Sequence, residues 1–88
     1  MNFSISEDVV CEVAEGEAVL LDLKRGVYYS LDPVGSRFWE LLRAGSDLAT
    51  ARECLLAEYD VTPDQLGRDL ERLVEDLAQR GLLQPGRP

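Results

Sequence analysis

Apolar residues recur at a spacing of about two in the first third of the chain and at helical spacing in the rest. Val9-Val10-Cys11-Glu12-Val13 is β-branched and bounded by Ala14-Glu15-Gly16-Glu17. Ala18-Val19-Leu20-Leu21-Asp22-Leu23 reads as a second strand with Val19, Leu21 and Leu23 on one face. Lys24-Arg25-Gly26 is a turn in which glycine supplies positive φ. Val27-Tyr28-Tyr29-Ser30-Leu31 follows, with Val27, Tyr29 and Leu31 sharing a face. The second and third runs predict an antiparallel hairpin.

Three punctuated helices come next. Asp32-Pro33 is an N-cap followed by proline at the first helical position, and Val34, Phe38, Leu41 and Leu42 form the stripe that Gly45 ends. Asp47 caps a second helix with the stripe Leu48, Ala51, Leu55 and Tyr59. Thr62-Pro63-Asp64-Gln65 opens the third as a capping box. Its stripe is Leu66, Leu70, Leu73, Val74 and Leu77, Gly81 is its C-cap, and Leu82 and Leu83 fold back. Strands before helices predict an α+β domain, a three-stranded antiparallel sheet followed by three helices. That is the inventory of a winged helix-turn-helix with the wing placed first. Residues 1–84 are expected to form the single domain, and 85–88 a disordered tail continuing an irregular stretch from Gln84.

Composition removes several functions. The 88 residues carry 17 Asp and Glu against 9 Lys and Arg, a formal charge of -8, with no histidine and two cysteines. Catalysis by Ser-His-Asp or Cys-His groupings is excluded, and two cysteines cannot make a zinc site. No catalytic residue, metal or cofactor is expected. A negative surface disfavours nucleic acid. The first residues lack the pattern of a signal peptide, and no apolar run exceeds four residues, so no membrane span is expected. Cys11 and Cys54 fit reduced thiols in a cytoplasmic protein.

Two features carry binding potential. The run Val27–Leu31 has no charge, proline or glycine. As a sheet edge it would be a template for an added strand; as a central or covered strand it would be structural. On the third helix, Leu66, Leu70, Leu73 and Leu77 form a stripe flanked by Asp69, Asp76 and Arg80, with Arg72 further round. This is either the acidic rim of a groove or an ordinary solvated face beside a core stripe. Lys24-Arg25 at the hairpin tip makes a poor phosphate clamp on so acidic a chain.

The stretch Val19-Leu20-Leu21-Asp22-Leu23-Lys24-Arg25-Gly26-Val27-Tyr28-Tyr29-Ser30-Leu31-Asp32-Pro33-Val34-Gly35-Ser36-Arg37-Phe38-Trp39-Glu40-Leu41-Leu42 resembles the PqqD-like proteins. Their pattern is an apolar pair before Asp, then Gly-x-Tyr-Tyr-x-Leu-Asn, a Gly, and Ile-Trp-x-Leu-Leu. Glu58-Tyr59-Asp60-Val61 and Leu77-x-x-x-Gly81-Leu82-Leu83 extend the resemblance over residues 9–83. Asp32 stands where many relatives have Asn, and either residue caps a helix.

This family is the RiPP precursor peptide recognition element, a winged helix-turn-helix that binds peptide. The resemblance implies a leader peptide, extended and antiparallel to the third strand, held against the third helix. Its contacts would be Val27, Tyr28, Tyr29, Ser30 and Leu31 on the strand, and Asp69, Arg72, Leu73, Asp76, Leu77 and Arg80 on the helix. Within the family the chain is most similar to the stand-alone recognition protein of lasso-peptide biosynthesis. Such a protein presents the leader to a cysteine-protease-like leader peptidase, after which an ATP-dependent cyclase closes the ring. The alternatives are a PqqD-type chaperone for a radical enzyme and a winged-helix nucleic-acid binder.

Overall fold

The computed structural model describes residues 3–15 and 17–85. Its elements are β1 (Phe3–Ile5), β2 (Val9–Ala14), β3 (Glu17–Asp22), β4 (Val27–Ser30), α1 (Pro33–Arg43), α2 (Leu48–Glu58), α3 (Pro63–Gln79) and β5 (Leu83–Pro85). The helices begin where their caps dictate. The side chains of Asp32, Asp47 and Thr62 accept the N–H groups of Gly35, Thr50 and Gln65. Only half of the expected capping box forms on α3, because the Gln65 amide donates to Asp69 Oδ1 at 2.9 Å instead of turning back to Thr62. Gly81 follows α3 with φ of 75°, and Leu82 N–H closes onto Leu77 O.

The main sheet has the order β2-β3-β4, antiparallel throughout, which places β4 at an edge. A second, two-stranded sheet pairs β1 with β5, with Ile5 opposite Leu83. Gln84 and Pro85, expected to begin an irregular tail, therefore lie in a strand, while residues 86–88 fall outside the described residues. Neither short strand announces itself in the sequence, since three residues carry no usable period.

The face of β3 differs from expectation. Ala18, Leu20 and Asp22 point inward, whereas Val19 and Leu21 are half-buried on the far side and Leu23 is 70% exposed. Asp22 tolerates burial because its Oδ1 accepts the turn N–H groups of Lys24 and Arg25, each at 3.1 Å. The Ala18 N–H donates to Ser36 Oγ on α1 at 2.7 Å, which seats the strand on the helix. Trp39, Phe38, Leu20, Leu55, Leu66, Leu77, Leu82 and Leu83 fill the core between sheet and helices. α1 packs on β3, β1 and α2, and α3 packs on α2 and β5. None of the described helices is long and apolar enough to cross a membrane.

Candidate functional site

β4 and α3 run past each other as two walls of a cleft, and three contacts fix their register. At one end Arg25 Nη1 donates to Arg80 O at 3.3 Å, tying the β3–β4 turn to the end of α3. In the middle the Tyr29 hydroxyl donates to Asp76 Oδ2 at 3.4 Å, and the Arg80 guanidinium sits 5.0 Å from the Tyr29 ring centroid. At the other end the walls part around a cavity of about 340 Å³. Tyr29, Ser30 and Leu31 line it from the strand, Leu66, Asp69, Leu70 and Leu73 from α3, and Asp32, Val34, Gly35 and Val61 from the flanking segments. An apolar floor under a few polar groups is the usual make-up of a binding pocket.

The free edge of β4 faces this cleft. Leu31 N–H donates inward to Ala18 O at 2.8 Å, and the β3–β4 register pairs Tyr29 with Leu20 and Val27 with Asp22. Residues of an antiparallel strand turn their N–H and C=O alternately to one neighbour and the other. Leu31, Tyr29 and Val27 thus bond to β3, and Tyr28 and Ser30 hold their backbone groups outward, in a row open to another strand.

The residues expected to touch a peptide divide into groups. Tyr29, Ser30, Leu31, Asp69 and Leu73 come together at the cavity, and Asp76 and Arg80 meet at Tyr29. Val27 lies half-buried on the same strand face. The Tyr28 ring points to the opposite face of the sheet and is 69% exposed, so this residue offers the cleft its backbone alone. Leu77 is fully enclosed in the core and presents no surface to a ligand. Its position on α3 falls on the buried side of the leucine stripe, where Leu66 and Leu70 also sit. Arg72 is exposed and lines no part of the cavity. Asp32, Val34, Gly35, Val61, Leu66 and Leu70 join the site without having been anticipated. For Leu66 and Leu70 the signal was present, since they share the stripe of Leu73, two turns and one turn earlier respectively.

Electrostatics separate the two expected rim acids. Asp69 borders the cavity and accepts from Gln65, whereas Asp76 is engaged by Tyr29. Burial, and then the Asp76 carboxylate beside it, raise the Tyr29 phenol above its ordinary value of 10, while Arg80 draws it down. The hydroxyl stays protonated at neutral pH and continues to donate.

The far side of the sheet forms a second surface. The registers Val10↔Leu21 and Leu21↔Tyr28 set these three side chains in one row across β2, β3 and β4, with exposed Leu23 beside it.

Two solved structures share this architecture. TbiB1, solved in complex with the TbiA(beta) leader peptide, is 38% identical over the whole of both chains, with a TM-score of 0.87. A lasso peptide synthetase B1, solved with the leader peptide, is 26% identical over 97% of this chain and all of that one, with a TM-score of 0.85. No curated protein matches the chain at a significant level. Residues 17–83, from the start of β3 to the beginning of β5, match the family described as Coenzyme PQQ synthesis protein D. This chain, a three-stranded sheet followed by three helices with an edge strand facing α3, belongs to the PqqD family.

Proposed function

We propose that this protein binds the leader region of a ribosomally made precursor peptide, of the lasso class, by adding it as a strand to β4. The observation that carries the proposal is the open row of backbone groups at Tyr28 and Ser30, which faces an apolar cavity between β4 and α3. An added antiparallel strand satisfies both residues and lowers alternate side chains toward Tyr29, Leu73 and the cavity. Both structural relatives were solved with leader peptides, which supports the same use here.

The protein acts without catalysis of its own. A chain with no histidine, in which the cleft's Tyr29 hydroxyl is held protonated by burial and Asp76, is suited to holding a substrate for another enzyme. The benefit is an increased local concentration of precursor at the enzyme, as in any tethered pair. The enzymes served are a cysteine-protease-like leader peptidase and, after it, the ATP-dependent cyclase. The row Val10, Leu21 and Tyr28 is the natural surface for such a partner, because it lies across the sheet from the cleft and stays exposed when the cleft is filled. The protein works in the cytoplasm, where the precursor is made.

Isothermal titration tests the reading, using synthetic leaders from short reading frames beside the gene and the TbiA(beta) leader. Binding in the micromolar to nanomolar range, about -8 to -12 kcal/mol, is expected for at least one. No heat and no chemical-shift change with any of them would defeat it. Neighbouring genes distinguish the routes: a peptidase with an asparagine-synthetase-like cyclase indicates a lasso pathway, and a radical enzyme indicates a PqqD-type role.

A further inference from the structure

The cleft is ordered by charge along its length. At the cavity end, the lining includes the carboxylates of Asp32 and Asp69 and no Lys or Arg. At the turn end stand Arg80 and Arg25. Arg25 is occupied, with Nε 4.0 Å from Asp22 Oδ2 and Nη1 on Arg80 O. Arg80 differs. Its guanidinium is pinned over the Tyr29 ring, and among the described residues no carboxylate lies within ion-pair distance of it. Asp76, the acid nearest along the helix, is held on the Tyr29 hydroxyl. A guanidinium stacked on an aromatic face keeps its N–H edge available for a carboxylate.

We propose that the cleft selects leaders by charge order: an apolar anchor with a cation beside it at the cavity, and an acidic residue at Arg80. This rests on the strand-addition reading above. Tyr29, under the Arg80 guanidinium, lies two residues before Leu31, which lines the cavity just past the end of β4. Asp69 and Arg80 are eleven positions apart along the helix axis, about 16 Å, so the two charges of the leader are separated by about two to five residues of extended chain. Antiparallel pairing is the stronger geometry and puts the cation on the N-terminal side of the acid. Asp69 pairs with the cation and Arg80 with the acid. The reversed order sets like charges together at both ends while leaving the backbone bonding unchanged. Charge here fixes register and direction, and the cavity supplies affinity.

A display library of short random peptides, selected on the immobilised full chain, tests this. The expected winners carry Lys or Arg next to a bulky apolar residue and Asp or Glu a few residues C-terminal. A winner remade with its two charges exchanged should bind about tenfold more weakly at low salt, from two ion pairs lost and two repulsions gained. The gap should narrow at high salt. The double variant Asp69→Lys, Arg80→Glu should prefer the exchanged peptide. Winners without charge order, or with an order that the double variant leaves unchanged, overturn the proposal while leaving strand addition intact. Failure to enrich any extended peptide, or enrichment unaffected by Ser30→Pro, overturns strand addition and the charge order with it.

Discussion

Proline at Ser30 should weaken leader binding without unfolding the protein, whereas proline at Tyr29 should unfold it. The difference follows from which way each N–H points. Ser30 N–H is directed away from β3, and proline is tolerated at an edge where the lost N–H faced outward. The residue before a proline prefers extended backbone, which Tyr29 already has. Binding then loses one backbone hydrogen bond, about 1 kcal/mol net, and leaves the leader's carbonyl unpaired, about 1 kcal/mol or more. The total of about 2 kcal/mol corresponds to roughly 30-fold in affinity. Tyr29 N–H bonds to Leu20 inside the sheet, so proline there removes a ladder bond and collides with β3. Fluorescence anisotropy with a labelled leader gives the affinity, and circular dichroism with urea titration reports the fold. Undiminished binding by a folded Ser30→Pro protein would refute the placement of the leader at this edge. So would a stable Tyr29→Pro variant with normal sheet content.

Other outcomes follow from the same structure. Leu20→Ala should cost about 2–5 kcal/mol of stability in urea unfolding and Leu23→Ala close to nothing, because one is wholly buried and the other mostly exposed. Gly81→Ala should destabilise by about 1–2 kcal/mol in the same assay, since Gly81 has positive φ and a methyl group there meets the Arg25 guanidinium. Asp76→Asn should lower the Tyr29 ionisation toward 10 in an ultraviolet pH titration. In the unaltered protein the raised phenol pKa makes its share of stability complete below pH 10, and that share is lost as pH rises through the folded value. Asp47 and Glu58 ionise below their ordinary values, Asp47 because its carboxylate accepts the Thr50 N–H and Glu58 because it accepts from Arg37. Their contribution is present above about pH 4 and fades as acid protonates them, which acid unfolding monitored by circular dichroism should show.

What the sequence made legible was local. Asp32-Pro33, Asp47, Thr62-Pro63 and Gly81 mark the helix ends because caps and positive φ are settled by a few adjacent residues. The apolar run of β4 and the leucine stripe were visible for the same reason, whereas the position of β4 at an edge is settled only by the order of the sheet. The face of β3 was not, because Val19, Leu21 and Leu23 are the more apolar set and yet face away from the core. The inward face instead carries Asp22, whose burial is offset by turn N–H groups that only the folded hairpin brings to it. The apolar set turned outward forms the far surface of the sheet, available to a partner. The cavity was legible only in part, since its lining comes from three separate stretches of chain. The β1–β5 pairing joins residues some eighty positions apart and leaves no periodic trace.

The central claim is that a leader adds to β4 as a strand. Amide hydrogen exchange at individual residues, with and without a saturating leader, tests it most directly. The account predicts that the N–H groups of Tyr28 and Ser30, open in the unbound protein, become strongly protected on binding. Continued rapid exchange at both, with new protection at Cys11 and Val13 on the opposite edge of the sheet, would contradict it.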